Sequence, residues 1–111
     1  MVAMAQAKYV RISPRKIRLI MDEVRGKDVG EALNILSFMP KKGARILKKL
    51  IESAVANAQE NLNLDVDELR IAKLCADEGP ILKRWRARAL GRATMIRKRT
   101  SHLMVILEEI K

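Results

Sequence analysis

The segment from Pro80 to Leu107 contains no Asp or Glu, and this acid-free run of 28 residues limits what the chain can fold into. Eight cations lie within it, most of them arginine: Lys83, Arg84, Arg86, Arg88, Arg92, Arg97, Lys98 and Arg99. Side chains in its middle are mainly small, so the segment cannot build a hydrophobic core of its own. We expect it to take a fixed shape only against a polyanion, and nucleic acid is the polyanion that this pattern favours.

The rest of the chain is long enough for one small domain. A length of 111 residues fits a single domain, and the net charge of +10 concerns its partners more than its fold. The only cysteine, Cys75, cannot form an internal disulfide, which is typical of a reducing compartment. No run approaches the roughly 18 apolar residues that span a bilayer. The N-terminal residues lack the pattern of an export signal, so we expect a cytoplasmic protein with no membrane contact.

Side-chain periodicity predicts a strand followed by a helix at the start of the chain. Residues 2–12 alternate small or aromatic side chains with larger ones, as in a strand. Ser13 and Pro14 fit an N-cap and the first helical position. Apolar residues then recur at i, i+3, i+4 and i+7 from Ile17, and Gly26 is a natural stop.

Two further helices are predicted before residue 61. The sequence from Asp28 to Glu31 has the capping-box pattern, and apolar residues follow at Leu33, Leu36 and Phe38 before Pro40 ends the helix. The longest helix is predicted over 41–61. Its apolar stripe consists of Leu47, Leu50, Ile51, Ala54, Val55 and Ala58.

The remaining patterns predict two body strands and a hairpin. Residues 61–68 are predicted as a loop, 69–76 as a strand, and 101–110 as a final strand that is apolar on both faces and therefore central. The predicted fold is α+β: three helices packed on a small, mainly antiparallel sheet with a long protruding β-hairpin. The single domain comprises a body, 1–79 and 101–111, and residues 80–100, which we call the basic arm.

The length of the basic arm sets its reach. A turn at Leu90-Gly91 leaves about ten residues on each side, which extend on the order of 30–35 Å at about 3.3 Å per residue. An isolated two-stranded ribbon of this kind is only marginally stable in water. The arm therefore needs a surface to lie against.

Cations also gather at the N-terminal turns of the first and third predicted helices. The two clusters are Lys8, Arg11, Arg15, Lys16 and Arg18, and Lys41, Lys42, Arg45, Lys48 and Lys49. The helix dipole disfavours cations at this end by a few tenths of a kcal/mol each. A bound phosphate would reverse that sign, because free backbone N–H groups and neighbouring cations would both face it. Solvated side chains tolerated at small cost are the alternative; two such helices beside the basic arm favour phosphate contacts.

The remaining reactive residues do not form the pattern of an enzyme. His102 is the only histidine, and its strand setting predicts a structural hydrogen bond or a polar RNA contact. Cys75 has no second thiol or nearby histidine for a metal site or a nucleophile. Carboxylates adjacent in a strand, such as Asp77 and Glu78, point to opposite faces, which is poor geometry for a two-metal nuclease. Trp85 fits either stacking on a base or a hydrophobic anchor at the base of the arm.

Several motifs, in order along nearly the whole chain, resemble the bacterial large-ribosomal-subunit protein twenty-two family. The upstream part is Tyr9-Val10-Arg11-Ile12-Ser13-Pro14-Arg15-Lys16, followed by Glu52-Ser53-Ala54-x-Ala56-Asn57-Ala58. The downstream part is Asp77-Glu78-Gly79-Pro80, Lys83-Arg84, Arg88-Ala89-x-Gly91-Arg92-Ala93 and Lys98-Arg99-Thr100-Ser101-His102. The last two motifs, at their spacing, are the most specific.

The resemblance implies a structural component of the large subunit that binds ribosomal RNA and supports subunit assembly and translation. It implies that the arm threads through ribosomal RNA and that its tip lines the polypeptide exit tunnel, bordering nascent peptides and the region of macrolide-type antibiotics. Other implied partners are neighbouring ribosomal proteins; no cofactor, metal or small-molecule substrate is implied. This chain has Ala87 where the family often has proline, so the geometry of relatives need not hold near the tip.

These considerations together give the expected site. The predicted RNA-binding residues are Arg11, Ser13, Arg15, Lys16, Arg18, Lys41, Lys42, Lys83, Arg84, Trp85, Arg86, Arg88, Arg92, Arg97, Lys98, Arg99, Thr100 and His102. The predicted tunnel tip consists of Arg88, Ala89, Leu90, Gly91 and Arg92. Low aromatic content predicts recognition through backbone charge and shape rather than base sequence.

Two alternatives remain open from the sequence. An architectural DNA-binding protein would use basic β-arms to wrap a duplex and apolar tips to separate base steps. It would usually need a dimer to present two arms. A basic globular protein with no dedicated partner would also account for the charge.

Overall fold

The computed structural model describes residues 2–79, 82–87 and 93–110, with the backbone alone considered for 82–87 and 93–98. A 3-10 turn, Val66–Glu68, precedes the second strand. The strands and helices, in chain order, are β1 (Val2–Val10), α1 (Pro14–Val24), α2 (Val29–Ser37), α3 (Lys42–Leu62), β2 (Leu69–Glu78), β3 (Leu82–Ala87), β4 (Ala93–Lys98) and β5 (Ser101–Glu109). This arrangement confirms the predicted α+β fold.

The body is organised around an antiparallel sheet with the order β1-β5-β2. The last strand therefore lies in the centre, as its apolar composition predicted. Along β5, Leu103, Val105 and Leu107 are buried under the helices, while the alternate residues Met104 and Ile106 are only half-buried. One face of the sheet thus carries the core, and among the described residues the other face has no helix over it.

Helix α1 begins and ends where the sequence predicted. The Ser13 side chain caps its N-terminus by accepting a hydrogen bond of 3.4 Å from the Lys16 backbone N–H, and Pro14 is the first helical residue. Its buried side chains include Ile17 and Met21, which are fully inaccessible. Gly26, just past the helix, has a φ of 78°, a conformation that favours glycine.

Helix α2 differs from the prediction in two details. Asp28 is the N-cap, but its side chain makes no capping hydrogen bond, and Glu31 pairs with Lys27 at 3.7 Å instead of completing a capping box. The Asp28 backbone forms an isolated bridge with Arg70, so the sheet helps to fix this helix start. Phe38, predicted on the apolar side, is 82% exposed because the helix ends at Ser37 and Phe38 lies beyond its last turn.

Helix α3 forms the longest wall of the core. It has 21 residues, and its bounds differ by one residue at each end from the predicted 41–61. Every member of the predicted apolar stripe is buried. The fully buried alanines Ala44, Ala54 and Ala58 have short side chains, which let the helix lie close to its neighbours.

Strands β3 and β4 form a separate two-stranded antiparallel sheet within the basic arm. Their register runs from Leu82 opposite Lys98 to Ala87 opposite Ala93. The predicted turn at Leu90-Gly91 lies outside the described residues. The radius of gyration is 17.0 Å, well above the roughly 13 Å of a compact chain of this length, and the longest dimension is 64 Å. The molecule is therefore elongated.

Candidate nucleic-acid interface

A groove on the body surface brings together the start of α1 and the start of α3. It is open to solvent, measures about 1020 Å³, and is lined by Arg11, Ile12, Ser13, Arg15, Lys16, Leu19, Ile20, Lys41, Lys42, Gly43 and Arg99. We call it the cationic groove. Arg99 enters it from the C-terminal end of the basic arm. Residues from three parts of the sequence, 11–20, 41–43 and 99, thus share one surface.

Local hydrogen bonds fix the floor and one wall of the cationic groove. The Ser101 hydroxyl, fully buried in β5, donates a bond of 2.6 Å to the Ile12 carbonyl. The Lys42 ammonium donates one of 3.3 Å to the Arg11 carbonyl, which joins α3 to the connection between β1 and α1. These bonds hold the chain that bears Arg11 in place without using the Arg11 guanidinium.

Gly43 allows the two helices to meet at the groove. A Cβ atom here would overlap the Cδ1 atom of Ile20 and would lie 3.0 Å from that of Ile12. The absence of a side chain therefore lets the first turn of α3 pack directly on α1. This close approach places the Lys41 and Lys42 side chains beside those of α1.

The cations of the groove have no carboxylate partners among the described residues. The ion pairs among the described residues join Arg25 to Asp22, Lys27 to Glu31 and Arg70 to Glu108, and all of them lie outside the groove. Neither α1 nor α3 has an acidic residue in its first turn. Two helix N-termini and exposed Arg and Lys side chains therefore give the groove one sign of charge, which suits an anion with several phosphates.

Three predicted RNA-binding residues outside the groove already make contacts within the protein. Arg18 is exposed, but its guanidinium donates two hydrogen bonds, of 3.0 and 2.6 Å, to the Ala76 carbonyl. The His102 ring accepts one of 3.2 Å at Nδ1 from the Tyr9 backbone N–H. Thr100 is buried at 3% exposure. A structural hydrogen bond, one of the two roles predicted for His102, is therefore present, and RNA contacts by these three residues stay predictions.

The other predicted residues divide into three sets. Arg11, Ser13, Arg15, Lys16, Lys41, Lys42 and Arg99 are gathered in the cationic groove. Lys83, Arg84, Trp85, Arg86, Arg97 and Lys98 belong to β3 and β4, of which only the backbone is considered. The tip residues from Arg88 to Arg92 lie outside the described residues. None of these RNA contacts is tested by the fold itself.

Sequence reasoning missed the apolar part of the groove. Leu19 is 64% exposed on the side of α1 opposite the core, next to exposed cations. The sequence did contain a signal for Leu19, because this apolar residue interrupts the polar face of α1 and does not belong to the apolar stripe that starts at Ile17. Ile12 and Gly43 had no such signal, since their place in the groove depends on contacts between distant elements.

Other kinds of site lack support in the part of the chain that is described. No set of three or more His, Cys, Asp or Glu side chains there is placed to hold a metal ion. None of the helices in these residues qualifies as a membrane-spanning segment. Cys75 is a half-buried free thiol in β2.

Comparison with known proteins gives a consistent result over nearly the full chain. The family model described as Ribosomal protein L22p/L17e matches residues 5–108. The large ribosomal subunit protein uL22 of Caldicellulosiruptor saccharolyticus is 57% identical over 107 residues, which cover 96% of this chain and 88% of that protein. The uL22 protein of Halothermothrix orenii is 52% identical over 111 residues, with 100% and 98% covered. That of Aquifex pyrophilus is 56% identical over 107 residues, with 96% and 80% covered.

Proposed function

Since this chain belongs to the ribosomal protein L22p/L17e family, we propose that it is a structural constituent of the large ribosomal subunit and binds large-subunit ribosomal RNA. Its role is to hold RNA in place during subunit assembly and translation, in the ribosomes of the cytoplasm, and not to catalyse a reaction. Neighbouring ribosomal proteins are its further partners. The three relatives, which share one name and match 96–100% of this chain, support this assignment.

The observation that carries the RNA-binding proposal is the cationic groove. Its exposed cations have no carboxylate partner among the described residues, which leaves their charge available to phosphates. Phosphates on an RNA backbone recur every few ångströms, so neighbouring phosphates can reach the starts of α1 and α3 together. Contacts of this kind position RNA by charge and shape and do not read its sequence.

The basic arm supplies the second contact surface in the proposal. It leaves the body after Gly79, whose N–H donates a 3.0 Å hydrogen bond to the Thr100 carbonyl at the point where the arm returns. The arm is thus fastened at its base by paired backbone. We propose that the cations of both β3 and β4 contact RNA phosphates. We also propose that the residues from Arg88 to Arg92 line the polypeptide exit tunnel.

Charge reversal in the arm tests RNA binding. Replacement of Arg84, Arg86 and Arg88 together by Glu should leave the melting of the body nearly unchanged, because the core formed by the described residues lies outside the arm. Binding to transcribed large-subunit RNA should fall strongly, and the slope of log K against log salt should fall in magnitude by about three. The matched control is the triple replacement by Lys, which keeps the net charge of +10 and should retain most of the affinity.

The same titrations separate this proposal from its rivals. Wild-type protein should remain with large subunits after a high-salt wash and should prefer structured RNA to duplex DNA. A dimer that prefers duplex DNA would replace the ribosomal assignment by an architectural one. A salt slope near zero for the wild type would mean that the cations have no dedicated partner.

The tip proposal has its own test. A photoreactive amino acid at Leu90 should cross-link to nascent peptides in translating ribosomes, while the same group at the exposed Ser53 of α3 should not. Macrolide-type antibiotics bound near the tip should reduce the cross-link at Leu90. Equal cross-linking at both positions would contradict a tip that lines the tunnel.

A further inference from the structure

Tyr9 has an unusual backbone conformation near the end of β1. Its φ is 59°, in the left-handed region that tyrosine rarely adopts. The only other non-glycine residue of this kind in the described chain is Asn63, which ends α3 as a left-handed C-cap, a common place for asparagine. Tyr9 instead lies in a β-bulge, where the register of β1 against β5 shifts between Ala7 and Val10. Bulges of this kind re-aim a side chain and often lie next to functional sites.

His102 of β5 holds Tyr9 in this conformation. The Tyr9 backbone N–H donates a hydrogen bond of 3.2 Å to Nδ1 of the imidazole. The two rings also meet edge to face, with centroids 4.9 Å apart and planes at 90°. Because Nδ1 accepts this bond, the neutral imidazole carries its proton on Nε2, which is then a donor. The pair is therefore organised before any partner arrives.

The pair leaves an aromatic face open. In either edge-to-face arrangement, the edge of one ring can cover at most one face of the other, so at least one face of the phenol ring stays uncovered by His102. Tyr9 is accordingly 64% exposed. An exposed aromatic ring with a fixed orientation is the usual platform for stacking an unpaired base.

The surroundings favour RNA over protein as the occupant. Lys8 and Arg11 flank Tyr9, both are exposed, and neither has a carboxylate within 4.0 Å in the described chain. Arg11, two residues after Tyr9 in the sequence, also lines the cationic groove. From these contacts we infer that Tyr9 and His102 form a stacking site for one unpaired nucleotide of RNA. The phenol ring stacks on the base, Nε2–H of His102 donates to the nucleotide, and Lys8 and Arg11 contact the adjoining phosphates.

This inference rests on the proposed function and adds a position at which an unpaired nucleotide, and not a continuous duplex, is preferred. Two variants separate the ring from the backbone. Tyr9→Phe keeps the ring, and Tyr9→Asn removes it while supplying a residue that tolerates the left-handed conformation. Phe38→Asn is the matched control, since it removes an exposed aromatic ring from a different surface.

The measurement is affinity for naked, transcribed large-subunit RNA at fixed salt, together with the salt slope and the melting temperature. We expect Tyr9→Phe and Phe38→Asn to bind within about twofold of wild type. Tyr9→Asn should bind about five- to 150-fold more weakly, the range of one lost base stack. Its salt slope should be unchanged, because no phosphate contact is removed, and its melting temperature should not fall.

The other outcomes contradict the inference in distinguishable ways. Wild-type affinity for Tyr9→Asn would mean that no base stacks there. Unchanged affinity for naked RNA with reduced incorporation into subunits would mean that Tyr9 contacts a protein. An equal loss for Tyr9→Phe would assign the effect to the hydroxyl and not to the ring. If wild-type protein itself failed to bind the RNA, the proposed function would fail and this inference with it.

Discussion

Gly43 and Gly30 are both helical glycines, but their surroundings differ. A Cβ at Gly43 would overlap Cδ1 of Ile20 and crowd Cδ1 of Ile12 and Ile17, whereas one at Gly30 would meet only a Val66 methyl at 3.9 Å. Gly30→Ala should therefore raise the free energy of unfolding by about 0.5–1 kcal/mol through better helix propensity. The same change at Gly43 has to displace buried side chains.

A double-mutant cycle tests the packing role of Gly43. Gly43→Ala should lower the free energy of unfolding by about 1 kcal/mol, because overpacking exceeds the gain in helix propensity. Ile20→Val alone should cost about 1 kcal/mol, but it removes the Cδ1 atom that Ala would overlap. The free energy of unfolding of the double variant, measured by urea unfolding, should therefore fall by about 1 kcal/mol less than the sum of the two single losses. Additive losses would show that Ile20 does not limit the space at Gly43.

At the level of elements, α1 protects an edge of the sheet. The guanidinium of Arg18 donates to the Ala76 carbonyl, and that of Arg25, the residue just after the helix, donates to the Leu74 carbonyl at 3.0 Å. Both acceptors belong to β2, which lies at one edge of the sheet. At the opposite edge, Asn57 of α3 donates to the Met4 carbonyl at 3.0 Å. Side chains from helices thus occupy backbone groups that could otherwise pair with another chain.

Arg18 can therefore be separated from the cations that face the groove. Arg18→Met should lower the free energy of unfolding by about 1–2 kcal/mol, because it leaves the Ala76 carbonyl without its charged donor. Arg15→Met, on the same helix but without a hydrogen bond of its side chain among the described residues, should change it by at most about 0.5 kcal/mol. Chemical denaturation of both variants provides the comparison. A larger loss for Arg15→Met would contradict the assignment of Arg18 to the sheet edge.

These elements show what the sequence could predict and what it could not. The bounds of α1 and α3 followed from local chemistry, since the Ser13 cap, Pro14 and a regular apolar stripe all act within one helix. The Asp28 capping box failed because a bridge to distant Arg70 and the pairing of Glu31 with Lys27 compete with it. Arg18 resembled a free cation for the same reason: the partner of its side chain is 58 residues away in sequence. The cations of the groove could be identified, but their meeting depends on Gly43 and on contacts between elements.

Over the whole molecule, basic residues are clustered at two helix N-termini, where they lower the stability of the helices. The first turns of α1 and α3 contain only basic or neutral residues, although their helix dipoles favour acids. At α1 the conflict is specific. Ser13 caps the backbone N–H of Lys16, so Lys16 occupies the position that Glu takes in a capping box. A sequence selected for stability alone would have an acid there.

Lys16→Glu should therefore change stability and RNA affinity in opposite directions. It completes the capping box and suits the helix dipole, so the free energy of unfolding should rise by about 0.5–1 kcal/mol. It also places a carboxylate in the cationic groove, so affinity for large-subunit RNA should fall and the salt slope should fall in magnitude by about one. Lys73→Glu, at an exposed position of β2 outside the groove, lowers the net charge by the same two units and should alter neither the slope nor stability beyond about 0.5 kcal/mol. Equal losses of affinity for both variants would mean that RNA binding depends only on the total charge. A loss confined to Lys16→Glu would mean that the protein gives up helix stability at this position in order to hold a phosphate.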